Sequence, residues 1–368
     1  MKEIRFGLIG TGYMGKAHAV ALNSVAAVFD TPLRPVCDMI CATTLEGATA
    51  KARTFGFRRA TADWRDVTSD PDIDAVVIAS PQSTHMDIAL AAFQTGKAVF
   101  CEKPLADDLS AARKMVDAAE ASGRANMTGF NYIRTPASQF AHSLIQTGRI
   151  GRIHYIRAEH TEDFLADPQA PSHWRTKDRG TGCMGDLAPH IINAALRLAG
   201  PIESVCADIQ TVHRERPGPN GPEEVLNDDQ AHLMCRFSTG ASGHLFISRV
   251  ATGKKMGYAY EIYGDKGSIR FDQEDQNALW LYLAEGPEEE RGYRKILTGP
   301  AHPDYLPFCQ GPGHGTGYQD QIIIEMKDFL NAIETGEPVW PTFRDGLDVQ
   351  QVTDAAWTSF ETGGWARV

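Results

Sequence analysis

The chain has 368 residues, 42% of them hydrophobic and 23% charged, with 36 Lys+Arg against 47 Asp+Glu for a formal net charge of -11. That length fits two domains, and the apolar share is enough for a sizeable core. The acidic balance argues against a nucleic-acid or anionic-membrane surface, both of which call for a basic face.

In chain order, the opening run MKEIRFGLIG is too short, and enters a glycine turn too soon, to be a secretory leader. Ile4–Gly10 is predicted as the first strand, and Gly10, Gly12 and Gly15 form G-x-G-x-x-G directly after it, with Tyr13 and Met14 inside the motif. Glycines there permit a tight turn and a close backbone approach to a pyrophosphate, whose charge the following helix N-terminus stabilises. The second strand, Arg34–Asp38, ends on an acid 23 residues beyond Gly15. A carboxylate in that place accepts from the ribose hydroxyls of a dinucleotide and repels a 2′-phosphate. Met39, Ile40 and Cys41 offer no arginine for such a phosphate, so NAD is favoured over NADP. Read as a plain turn residue, Asp38 would carry no such preference.

The next strand, Ala75–Ser80, leads into Ser80, Pro81 and His85, which a parallel sheet would place on the cofactor crevice. His85 can equally be a first-turn residue of the helix Thr84–Thr95, which Gly96 stops. Strand Ala98–Cys101 ends in Glu102-Lys103-Pro104. Proline removes a backbone donor and keeps Lys103 out of a helix, so that the lysine projects towards the crevice. There it can donate to a substrate hydroxyl and stabilise an alkoxide; the plain alternative is a solvated Lys–Glu pair. Helix Ser110–Ser122 and strand Ala125–Gly129 complete the series. Short apolar runs without alternation, spaced by helices, predict a doubly wound parallel sheet over residues 1–130.

Beyond residue 150 the texture changes to strands joined by turn signals such as Ser238-Thr239-Gly240 and Gly264-Asp265-Lys266-Gly267. A mostly antiparallel sheet is expected in a second α/β domain, residues 131–368, with Gln319–Thr335 and Asp345–Thr362 as closing helices and Arg214–Asn227 as an exposed loop. Within it, Gly180–His190 sets three glycines before Asp186, with His190 four positions later. On a helix beginning near Asp186 the two stack on one face, and an Asp–His pair makes an oriented general base. A metal site using His160 as third ligand lacks a diagnostic spacing, and a purely structural pair is the remaining reading. Trp174 and Arg175 lie just upstream, and His314 sits in a glycine-rich segment of the kind that covers ligands.

The seven cysteines are scattered and form no C-x-x-C pair; Cys37 and Cys41 have a zinc half-site spacing with no second half nearby. A reducing, cytoplasmic setting without a disulfide framework or a metal is expected. No run approaches the ~18 apolar residues of a membrane span.

Carrying Gly10-x-Gly12-x-x-Gly15, Glu102-Lys103-Pro104 and the glycine-rich Asp186-x-x-x-His190 in this order, the chain resembles the glucose–fructose oxidoreductase/inositol dehydrogenase family, often called Gfo/Idh/MocA. The resemblance implies an N-terminal Rossmann domain and a C-terminal α/β domain whose large open sheet serves oligomer contacts, in a homodimer or homotetramer. It implies Lys103, Asp186 and His190 as catalytic residues. Trp174, Arg175 and Asn131 fall near the nicotinamide; apart from the resemblance, Glu102 is a candidate contact to the nicotinamide ribose, Arg175 a candidate clamp on substrate oxygens, and His314 a candidate substrate-side residue of its glycine-rich loop. Asn193 stands where an acid often follows the histidine, which puts one sugar contact in doubt. The activity implied is oxidation of a secondary hydroxyl of an inositol, sugar or glycoside to the ketone, by hydride transfer to NAD. Two rivals remain: a glycosidase that uses NAD for transient redox on the sugar, and a non-catalytic NAD-binding sensor, which would normally lose the Lys/Asp/His set.

Overall fold

Short apolar runs of the N-terminal part pair into one six-stranded parallel sheet. The computed structural model describes residues 2–368. They divide into two units, one joining the chain up to Arg134 with Thr316–Gln350, the other joining Thr135–Gly315 with Gln351–Val368.

The first unit alternates β1 (Lys2–Ile9), α1 (Tyr13–Val28), β2 (Leu33–Cys41), α2 (Leu45–Phe55), β3 (Arg59–Thr61), α3 (Trp64–Ser69), β4 (Ala75–Ile78), α4 (His85–Gln94), β5 (Ala98–Glu102), α5 (Leu109–Ser122) and β6 (Asn126–Gly129). The order β3-β2-β1-β4-β5-β6 reverses direction between β1 and β4, which opens a crevice at the C-terminal ends of those strands. β4 is buried along its whole length, as its unbroken AVVI run requires. Helix ends follow local chemistry: Thr44 caps α2 by accepting from the Gly47 N–H at 3.1 Å, and Gly56 ends it in the left-handed region. The three-residue β3, Arg-Ala-Thr, carries no apolar run and was not foreseen.

The second unit opens with α6 (Pro136–Gln146), β7 (Ile153–Thr161), the four-residue α7 (Cys183–Asp186), α8 (Ala188–Ala199) and β8 (Ile202–Gln210). A small hairpin follows, β9 (Glu215–Gly218) with β10 (Gly221–Glu224), where an exposed loop was expected. Arg216 is the reason it is not a loose excursion. It is buried, and its guanidinium donates to the carbonyls of Leu165 at 2.6 Å and Asp167 at 2.8 Å. Then come β11 (Gln230–Phe237), β12 (Ser242–Ser248), β13 (Gly257–Gly264), β14 (Gly267–Asp272), β15 (Ala278–Leu283) and β16 (Arg294–Leu297).

The chain returns to the first unit with α9 (Tyr318–Thr335), enters α10 (Phe343–Thr362), which ends in the second unit, and closes with β17 (Ala366–Arg367). The large sheet has nine strands in the order β16-β15-β14-β13-β7-β12-β11-β8-β17, antiparallel throughout except where β7 meets β12. Register sets Trp280, Arg270, Glu261, Arg157, His244 and Met234 side by side on one face, where Met234 and Trp280 are exposed. One step along each strand the residues are buried, as in Tyr260 opposite Ala158 and Phe271.

Within the first unit α9 packs on α1, and its Phe329 meets Phe6 and Phe100 edge-on at centroid distances of 6.3 and 5.7 Å. Phe343 fills the other side of the core against Phe93, and burying such a ring contributes about 1.5–3 kcal/mol.

One acid of α9, Glu325, is buried as well. Burial pushes the Glu325 carboxyl well above the usual carboxylate range, against the pull of Arg134 and the Phe130 N–H, and Glu102 and Asp328 add to the rise. The folded protein therefore holds a proton that the unfolded chain releases near pH ~4.3. The stability linked to that proton is complete below this value and is lost as pH climbs towards the raised folded value. Glu325→Gln keeps the shape and cannot ionise. Thermal melts from acid to mildly alkaline pH are expected to show the variant gaining on the wild type as pH rises; parallel curves would refute a neutral Glu325.

Candidate active site

In the first unit the glycine turn has the form an anionic ligand needs. Gly10 has φ +105°, and a Cβ there would sit 2.2 Å from the Ala79 carbonyl oxygen. A Cβ on Gly15 would lie 2.1 Å from the Gly10 carbonyl oxygen, whereas one on Gly12 meets nothing within 4 Å. Gly10 and Gly15 thus let the turn close on itself, and the space over Gly12 is left for a ligand. Among the described residues no side chain caps the start of α1, and its first turn carries no acid, so its N–H groups and dipole suit a pyrophosphate. The cradle fits a dinucleotide. Tyr13 is 73% exposed beside it, and Met14 accepts from the Tyr318 hydroxyl at 3.2 Å.

Asp38 is not where the sequence put it. β2 runs on to Cys41, whose carbonyl accepts from the Gly10 N–H at 3.0 Å, so the strand end beside the turn is Cys41-Ala42. Asp38 lies inside the strand and is buried, with Oδ1 accepting from Arg59 Nε at 2.6 Å and Oδ2 3.7 Å from Arg5. Its carboxylate anchors β3 through Arg59 and does not end the strand. Asp38→Asn is expected to leave the ratio of NADH to NADPH affinity unchanged in fluorescence titrations; a shift towards NADPH would restore the ribose role.

At the ends of β4 and β5 several of the expected cofactor residues bond to the protein itself. Ser80 Oγ is 2.7 Å from Thr84 Oγ1, and Pro81 is exposed. His85 is 1% exposed, its ring nitrogens facing the carbonyls of Ser80 at 3.0 Å and Pro104 at 3.1 Å. It ties the β4 turn to the Lys103–Pro104 turn, and burial holds its pKa below the usual imidazole value. Glu102 is also buried, with Oε1 2.7 Å from His18 Nε2 and Oε2 accepting from the Lys103 N–H at 3.3 Å. His18, on α1, was not foreseen. Lys103 itself is partly exposed, next to a cis Lys103–Pro104 bond. Asn131 is buried and donates to Gln321 Oε1 at 2.9 Å.

In the second unit the helix does not run through the Asp–His pair. α7 ends at Asp186, Leu187 breaks it, and His190 stands in the first turn of α8. Arg175 reaches Asp186, Nε to Oδ2 3.5 Å, and its guanidinium lies 4.2 Å over the ring of the exposed Trp174. Asp186 thus has an arginine at hand, which the sequence spacing did not indicate. His190 is 7% exposed, and its ring meets that of His160 at 5.5 Å. His160 has Nδ1 facing the Leu187 carbonyl at 2.9 Å and Nε2 facing Glu162 at 3.3 Å. Asn193, one turn beyond His190, is buried with its Oδ1 unmatched among the described residues. His314 is exposed, 3.2 Å from Cys309 Sγ, in a loop folded around the buried Tyr305 hydroxyl.

Comparison with known proteins agrees with both halves. Residues 4–130 match the oxidoreductase family with an NAD-binding Rossmann fold, and residues 138–270 match the GFO/IDH/MocA C-terminal domain. Levoglucosan dehydrogenase of Pseudarthrobacter phenanthrenivorans is 38% identical, over 100% of this chain and 99% of its own. Inositol 2-dehydrogenase of Rhizobium meliloti is 30% identical over 96% of each. A solved levoglucosan dehydrogenase in complex with NADH and L-sorbose superposes with a TM-score of 0.97 at 39% identity, over 100% of this chain and 99% of that one.

Proposed function

The chain belongs to the GFO/IDH/MocA family of NAD-dependent oxidoreductases, a sugar or polyol dehydrogenase acting on CH–OH groups, and from that premise we propose that its substrate is an anhydro-sugar of the levoglucosan class. The observation that carries this choice is the 38% identity to levoglucosan dehydrogenase along the whole of both chains, against 30% for the inositol enzyme. Transient redox in a glycosidase gains no support from these relatives, which are named as dehydrogenases.

In this reading the oxidised group is a secondary ring hydroxyl. Lys103 donates to its oxygen and stabilises the alkoxide as it forms. His190 takes the hydroxyl proton, and the Asp186 carboxylate stabilises the resulting imidazolium. Arg175, held over Trp174 and beside Asp186, and the exposed His314 orient the sugar. NAD, when bound on the glycine turn, supplies the hydride acceptor. Asn131 and Glu102 act from buried positions, supporting the backbone near the nicotinamide end.

The exposed row that holds Trp280, Arg270, Arg157 and Met234 supports pairing with a second copy in a homodimer or homotetramer. The seven cysteines, all free thiols, favour the cytoplasm. Among the described residues no helix is long and apolar enough to cross a membrane.

The test is to follow NADH formation with levoglucosan, myo-inositol, scyllo-inositol and glucose, each with NAD and NADP. Levoglucosan with NAD is expected to give the highest kcat/KM. A higher value for an inositol would overturn the substrate, and no NADH from any of them would overturn the dehydrogenase reading for this chain.

A further inference from the structure

The run Asn227-Asp228-Asp229 follows the β9–β10 hairpin, and its three polar side chains are 4%, 2% and 0% exposed. Burying such groups costs free energy unless each is bonded, so their partners indicate what they are for. The Asn227 amide donates to the Arg175 carbonyl at 2.8 Å, the Asp178 carbonyl at 2.7 Å and Thr181 Oγ1 at 3.2 Å. Its Oδ1 accepts from Arg249 Nη2 at 2.6 Å. Arg249 is itself 1% exposed, with Nε donating to Asp229 Oδ1 at 3.0 Å and Nη1 to the Arg175 carbonyl at 2.8 Å. The Arg175 carbonyl therefore receives two donors, from β12's flank and from the Asn227 turn.

The next residue serves the other end of the same ion pair. Asp228 Oδ2 accepts from the Met184 N–H at 2.7 Å, and its carbonyl accepts from the Cys183 N–H at 3.1 Å. Those two N–H groups open α7, whose last residue is Asp186. Gly182 is needed for this approach, since a Cβ there would lie 2.0 Å from Asp228 Oδ1. Consecutive residues thus hold the backbones of Arg175 and of the short helix that ends in Asp186.

We propose that Asn227, clamped by Arg249, is a positioning residue of the dehydrogenase: it fixes the Arg175 backbone so that the guanidinium stays on Asp186 and over Trp174. Asn227 touches no substrate and acts through Arg175. The proposal rests on the reading of Arg175 and Asp186 as substrate-side residues. Its physical content is that a misplacement of about 1 Å in such a group costs on the order of 100-fold in rate.

A double-mutant cycle with Asn227→Ala and Arg175→Ala separates positioning from plain stability, because only residues acting through each other are non-additive. Asn227→Ala is expected to lower kcat/KM for the sugar by roughly 10–100-fold while NADH affinity, read by fluorescence, holds within about twofold. In the Arg175→Ala background the same change is expected to cost no more than about threefold. Should Asn227→Ala fail to fold, Asn227→Asp retains the shape and the acceptor for Arg249 but turns a carboxylate oxygen, in place of the amide donors, towards the Arg175 and Asp178 carbonyls; it is expected to show the same non-additivity. Additive losses, or full activity of either Asn227 variant, overturn the proposal alone. An Arg175→Ala enzyme as active as the wild type overturns the substrate-side reading, and the proposal with it.

Discussion

Lys103→Met is expected to lower kcat for sugar oxidation by about 10²–10⁴-fold, the usual range for losing a positioned acid–base group. The substitution keeps most of the side-chain length and removes the donor. The backbone of this turn is held by contacts that do not involve the lysine side chain. Glu102 accepts from the Lys103 N–H at 3.3 Å and meets His18 at 2.7 Å, and the His85 ring faces the Pro104 carbonyl. The variant should therefore fold and bind NADH within roughly twofold of the wild type, so that the loss sits in kcat rather than in cofactor binding. Steady-state kinetics with parallel fluorescence titration of NADH reads both quantities. Full turnover in the variant would remove Lys103 from the mechanism.

Gly15→Val should abolish the cofactor site for a different reason. A Cβ at Gly15 falls 2.1 Å from the Gly10 carbonyl oxygen, and that oxygen is backbone in a turn already at φ +105°. Neither side can yield cheaply, so α1 must move away from the end of β1, taking with it the N–H groups meant for the pyrophosphate. NADH affinity is expected to fall by about 100-fold or more, which is about 2.8 kcal/mol of binding. Gly12→Ala makes the contrast: with nothing within 4 Å of its Cβ, it should melt like the wild type and still bind NADH more weakly. Equal NADH affinity in the Gly15 variant would mean that the glycine turn is not the dinucleotide cradle.

Where reading the sequence misled, the cause was a partner remote in the chain. Asp38 looked like the end of a strand because a charged residue interrupts the apolar run, yet Met39, Ile40 and Cys41 continue it in register with Gly7, Leu8 and Ile9. What stabilises an acid inside the sheet is Arg59, supplied by a strand too short to carry a hydrophobic signature. His85 looked like a crevice residue by position, and its burial depends on the Pro104 carbonyl, 19 residues away. The Asp186–His190 spacing suggested one helix face, and the break at Leu187 lies in a stretch already bonded to Asp228. Asn227 seemed to end a loose loop because Pro, Gly and Glu dominate the residues before it.

The sequence by itself determined what local chain chemistry controls. Strands and helices alternate because apolar runs are punctuated by caps and glycines, the turn after β1 needs glycine at Gly10 and Gly15, and the charged ending of β5 stands out against its apolar body. Tertiary structure alone decided which polar side chains are buried and bonded inside the protein. Asp38, His85, Glu102 and Asn227 are all polar residues near strand or loop ends, and nothing in their neighbours along the chain tells them apart. Their roles follow from donors and acceptors brought in from elsewhere, since a buried carboxylate, imidazole or amide persists only where the fold delivers its partner.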